Sequence, residues 1–145
     1  MFNVYKGLFG YESGAYRVPL EVDVNASNFN QFVKGKWVKL DTATGKYVLA
    51  VAADAGNPTL IQLFEGADEI SPNMSEVLAG VEGSYYAETD QFEGTINAGD
   101  LLTINDNSVL AVATSGSGAT AVAVALTGVV HGKIKFKTLL NRPTA

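Results

Sequence analysis

The side chains able to do chemistry are few and scattered. His131 is the only histidine, in "VVHGKI" beside an expected strand break. A Ser-His-Asp triad assembles in space rather than along the chain, so spacing alone does not forbid one. Yet no serine stands in the G-x-S-x-G setting that exposes a nucleophile at a strand-to-helix turn, and "SGSG" (residues 115–118) has the composition of a linker. His131 is therefore expected on a surface turn. Fifteen acids could supply a carboxylate pair for glycoside hydrolysis, but so many discriminate nothing. "NDN" (residues 105–107) offers hard oxygen ligands without the spacing or glycine of a calcium loop. Cysteine is absent, which removes disulfides, thiolate metal ligands and a cysteine nucleophile together. No glycine loop of the phosphate-cradling or dinucleotide-binding kind is found. The sequence carries no catalytic motif; no enzyme, cofactor or metal is expected.

The elements that would have to position such groups read as strands. "GKWVKLD" and "GKYVLAVAAD" flank "TATG" as a hairpin, and "TLIQLFE" alternates over residues 59–65. "AGVEGSYYAET" reads as one glycine-interrupted strand, the glycines marking a bulge or close backbone contact. "DLLTI" and "SVLAVAT" flank "NDN", a turn suited to Asn and Asp. "ATAVAVALT" and "GKIKFKTLL" complete the set. The only helix candidate is "SPNMSEVLAG", with Ser71 as cap, Pro72 in the first turn and Gly80 as stop; a loop fits it equally. The expected fold is all-β, a small β-barrel or β-sandwich of about eight strands with at most one short helix.

With 145 residues, 47% apolar and 17% charged, the chain suits a single domain over residues 31–145. Residues 1–30 scatter Phe2, Tyr5, Phe9, Tyr11 and Tyr16 among glycines without a sustained period. They read either as an extended N-terminal arm ordered by what its aromatics touch, or as an irregular first strand. Read as an arm, the segment should be removable to about Asn30 and leave a folded domain. The opening lacks a basic start and an apolar run, so no secretory signal is expected. No apolar stretch approaches the about 18–20 residues that span a bilayer. A soluble protein made in a reducing compartment is the expectation.

Features suited to adhesion are more numerous. All ten basic residues lie at the two ends of the chain, and eleven of the fifteen acids fall between Lys46 and Lys133. If the first and last strands were neighbours, the molecule would have one basic and one acidic side, an asymmetry suited to oriented docking. The pI near 4.7 argues against direct nucleic-acid binding. In "KWVKL", Val38 and Leu40 make the natural core face, which leaves Trp37 and Lys39 outward as an anchor, or covered by the arm. Lys133, Lys135 and Lys137 line one face of the last strand, either as the basic side or as protection of an edge. Ala121 and Ala123 belong to a smooth alanine face with Ala111 and Ala113. A second sheet, the arm or a neighbouring subunit could cover it.

The order of "KWVKLDTATGKYVLA", "VEGSYYAETDQF", "NAGDLLTINDNSVLAVATSG" and "GKIKFKTLL" resembles small head decoration, or cement, proteins of tailed bacteriophages. The resemblance runs over about Lys36 to Leu140, with "AETDQF" and "AGDLLTI" its most specific pieces, and leaves out the aromatic N-terminus. It implies a non-enzymatic virion structural protein on the capsid exterior, made in the host cytoplasm. The implied partner is the phage major capsid protein, and the implied assembly a homotrimer. It implies no catalytic residue, no membrane contact and no direct nucleic-acid contact. A tail-tube or head-fibre component, a carbohydrate-binding β-sandwich module and a small hydrolase remain the alternatives.

Overall fold

A computed structural model describes residues 2–5, 15–69 and 76–145. The protein is all-β. Eleven strands form two antiparallel sheets, and the described residues hold no helix beyond short 3-10 turns at Phe29–Gln31, Ala52–Gly56 and Ala67–Glu69. In chain order the strands are β1 (Phe2–Tyr5), β2 (Ala15–Glu21), β3 (Trp37–Asp41), β4 (Lys46–Leu49), β5 (Ile61–Leu63) and β6 (Val77–Gly83). They continue as β7 (Tyr86–Thr89), β8 (Leu101–Ile104), β9 (Leu110–Val112), β10 (Ala123–Ala125) and β11 (Ile134–Thr138). One sheet runs β1-β7-β11-β10-β8-β9, the other β2-β6-β5-β3-β4, and neither closes into a barrel. The five-stranded sheet curls far enough for a single parallel bridge, Val22 to Tyr47, to join its outer strands.

Three strands beyond the expected eight have identifiable origins. The segment read as an arm supplies two, β1 along β7 and β2 along the whole of β6. The third comes from "AGVEGSYYAET", which is two strands in different sheets. The chain crosses between them at Gly83, Ser84 and Tyr85, and Gly83 adopts φ 104, a conformation open to glycine. Of the helix candidate, residues 71–75 lie outside the described residues, while Val77 to Gly80 are strand. Gly80 does not stop a helix. It sits where a Cβ would come within 2.7 Å of Leu20 and 2.9 Å of Ile61, so its missing side chain lets β2 and β5 close on β6.

Two apolar clusters result. The larger lies between the sheets and joins Trp37 and Val81 of one to Phe2, Ala87, Leu102, Ala123, Ile134 and Phe136 of the other. The second lies on the opposite side of the five-stranded sheet, where Leu20, Val38, Ile61, Leu63 and Leu78 meet Val22 and Phe32. The five-stranded sheet is thus buried on both faces. Consecutive residues of β5 show it, since Ile61, Gln62 and Leu63 are all buried.

Gln62 is the polar member of that central layer. Its amide nitrogen donates to the carbonyl of Gly35 at 2.8 Å, and its side-chain oxygen accepts from the Tyr85 hydroxyl at 2.6 Å. Tyr85 comes from the crossing between the sheets, and its backbone N–H donates to Thr138 Oγ1 on β11 at 3.0 Å. Burial pushes the Tyr85 hydroxyl pKa up, so it stays a neutral donor. Tyr85→Phe should lower unfolding free energy by about 1–3 kcal/mol, because it leaves the Gln62 oxygen buried without a donor. Gln62→Leu added to it should recover part of that loss in chemical denaturation. A wild-type midpoint for Tyr85→Phe would show that the bond adds nothing.

Candidate interaction surface

The alanine row faces inward. Ala121 and Ala123 are fully buried and Ala125 is 1% exposed, with Ala123 and Ala125 in the core between the sheets. The C-terminal residues seal Ala121, whose N–H donates to the Pro143 carbonyl, while the Ala145 N–H donates to the Ala119 carbonyl. Neither Ala121 nor Ala123 can touch a partner, which corrects their candidacy as contact residues. Of the opposite row in "ATAVAVALT", Val122 is buried, Val124 half-buried and Leu126 43% exposed. The apolar face left towards solvent is the one with the larger side chains.

Register shows what surrounds it. Tyr86, Lys137, Val124 and Leu101 lie side by side across β7, β11, β10 and β8. Lys135 pairs with Glu88, and Thr103 with Ala111. The outer face of the six-stranded sheet therefore changes across its width, from Glu88, Lys135 and Lys137 to Val124, Leu101 and Ala111. The lysine and isoleucine/phenylalanine alternation of the last strand is as its sequence dictates, with Ile134 and Phe136 buried. Edge protection is not its purpose, because β11 is an interior strand between β7 and β10. The Lys137 ammonium lies 5.8 Å from the centre of the Tyr86 ring.

Other candidates fall elsewhere. Trp37 is 5% exposed in the intersheet core, a correction to its outward reading. The alternation rule assumes one wet face, and β3 belongs to a layer covered on both sides. Lys39 is half-buried and pairs with the Asp54 carboxylate at 2.8 Å within the chain. Phe2 is 3% exposed, stacked on Phe136 and edge-on to Phe64 and Tyr85, so it anchors β1 rather than offering a contact. Gly35 makes room for it, since a Cβ there would lie 3.1 Å from the Phe2 Cβ. Tyr5 is paired through its backbone with Tyr86, and Phe9 and Tyr11 lie outside the described residues. Trp37 is thus not available for the sugar stacking that an outward ring would allow.

The first and last strands are not neighbours, so the condition for one merged basic patch is not met. β7 stands between β1 and β11. On the five-stranded sheet Lys46 bonds Glu76 at 3.3 Å, and the Arg17 guanidinium lies 4.1 Å above the Phe64 ring. Arg142 donates to the carbonyls of Ala55, Asn57 and Leu60, which staples the C-terminal residues to the loop before β5. In the "NDN" turn the amide groups of Asn105 and Asn107 donate to the two oxygens of Glu93. His131 is exposed, with Glu88, Thr127, Val130, Lys133, Ile134 and Lys135 around it.

Sequence reasoning passed over the residues that make this surface: Leu101, Val124, Leu126, Val129 and Val130. The strongest signal was present in "ATAVAVALT" itself, whose second row is as apolar as its first and larger. The chain matches no protein-family model and no curated protein.

Asp54 gives a pH test of the framework behind β3. Burial opposes its charge, but the Lys39 ammonium and the Val51 N–H, 2.9 Å away, outweigh that and hold the carboxyl below its ordinary value. A depressed carboxylate contributes stability that is present above its unfolded pKa, about 4, and is lost as pH falls through the native value. Asp54→Asn should cost about 1–2 kcal/mol at pH 7 and flatten the stability profile between about pH 4 and pH 2. Unfolding midpoints across that range measure both effects, and parallel profiles for the two proteins would contradict the assignment.

Proposed function

We propose that this is a non-enzymatic virion structural protein that binds the outside of a phage capsid shell and stabilises it, as a trimer. The observation that carries the reading is the outer face of the six-stranded sheet, where the half-buried pair Leu101 and Val124 continues into the exposed Leu126, with Lys137 beside Val124. Apolar groups bordered by charge are the composition of a docking surface. The resemblance of the sequence segments and their order to head decoration proteins suggests the partner class.

The physics of such a role asks for little per copy. Each molecule contributes a modest binding energy across a seam between major capsid subunits, and many copies act together. Binding stabilises the expanded shell only by the difference in affinity between that shell and its immature or ruptured forms. The rigid two-layer framework suits this, since a partner that does not deform loses less entropy on docking.

Co-sedimentation with expanded shells of a phage major capsid protein tests the proposal. Saturable binding and a higher temperature of shell disruption are expected, together with a native mass of three chains. Absence of binding at micromolar concentration overturns shell decoration, and a monomeric native mass overturns the trimer alone.

A further inference from the structure

Of the seven large apolar residues exposed among the described ones, Leu126, Val129 and Val130 lie within five positions of one loop. This loop joins β10 to β11. At its tip Val130 and Lys133 exchange backbone hydrogen bonds of 2.9 and 3.1 Å. The two residues between them have positive φ, 52 for His131 and 74 for Gly132, which is the condition of a type I′ hairpin turn. Below the tip the N–H groups of Leu126 and Thr127 both donate to the Lys135 carbonyl, and the Lys135 N–H donates to Thr127 Oγ1. The valines are therefore held on a closed, hydrogen-bonded hairpin. At 57%, Val130 is the second most exposed of the seven, after Leu140.

Area makes this hairpin necessary to the docking surface proposed above. Six strands about 4.8 Å apart and four residues of about 3.3 Å give a flat face of roughly 24 by 13 Å, about 300 Å². A stable interface uses about 800 Å² of each partner. The sheet face alone falls well short, and the hairpin continues it directly through Leu126. Its flank carries Lys133 and Lys135, which together with Glu88, Val130 and Ile134 line a concavity of about 260 Å³.

We infer that the hairpin of residues 126–133 is a preformed peg. It seats Val129 and Val130 in an apolar recess of the shell subunit whose rim carries carboxylates facing Lys133 and Lys135. The inference rests on the shell-binding reading and adds to it the contact residues and the chemistry of the partner's surface. Lys133 and Lys135 stand beside Val130, which sets the sign of charge expected on the facing rim.

The test uses full-length protein and the same expanded shells. Val130→Asp should weaken binding at least tenfold, because it places a carboxylate against both an apolar recess and an acidic rim. The double variant Val129→Ser/Val130→Ser should weaken it several-fold without adding charge. Lys133→Glu/Lys135→Glu should weaken it and remove most of the loss of affinity seen on raising salt. Val33→Asp, an equally simple change at a 39% exposed valine away from the hairpin, should bind as wild type. Wild-type affinity in both valine variants overturns the peg and leaves shell binding standing. Wild-type salt dependence in the lysine variant overturns the acidic rim. Failure of the unaltered protein to bind overturns both readings together.

Discussion

The hydrogen-bonded chain from Gly35 through Gln62 to Tyr85 is the constraint around which the molecule is arranged. A side-chain amide in the middle of a buried strand costs several kcal/mol unless both its ends are satisfied. Here the donor end is met by a backbone carbonyl next to β3 and the acceptor end by a tyrosine from the crossing between sheets. Those partners fix where the sheets lie relative to each other. An apolar contact would tolerate a slide; two short hydrogen bonds in a low-dielectric interior do not. Phe2, Phe64 and Phe136 then pack around the Tyr85 ring or its neighbours, so the aromatic cluster follows the same reference point.

Two hairpins were legible from local chemistry alone. "TATG" turns β3 into β4, with the Gly45 N–H donating to the Asp41 carbonyl, and "NDN" turns β8 into β9 with Asn105 Oδ1 accepting from the Asn107 N–H. The alternation of lysines with Ile134 and Phe136 also told the truth, because β11 has one covered face. Where alternation misled, the cause was a second covered face. Trp37 and Val38 are both inside, and no pattern within five residues distinguishes a middle layer from an outer one. The division of "AGVEGSYYAET" was hidden for a related reason, since Gly83 reads as a weak point in one strand while it acts as a passage between two sheets. Phe2 was hidden by distance, its partners lying more than sixty residues along the chain.

The surface is organised differently from what the linear charge distribution implies. The first and last strands are not neighbours, and several of the basic residues gathered at the chain ends are spent inside the molecule on the Lys39–Asp54 and Lys46–Glu76 pairs and the Arg142 staple. What remains directional is the outer face of the six-stranded sheet. There the gradient from lysine to aliphatic runs across the strands rather than along them, so no single segment of sequence displays it. Five different strands each contribute one residue to the row that contains Val124.

The crossing at Gly83 has a consequence for how the protein comes into being. β6 and β7 are joined by only two residues, and each is the pairing partner of an N-terminal strand, β2 and β1 respectively. During synthesis those early strands leave the ribosome with nothing to pair with until some sixty to eighty residues more have followed. Neither half can then be completed alone, because Tyr85 ties the arriving segment to Gln62 in the other layer. Folding is consequently late and all at once, governed by long-range pairing that forms slowly. A nascent chain of this kind leaves its aromatic N-terminus without its strand partners for most of its translation, the interval in which unpaired strands are open to wrong contacts.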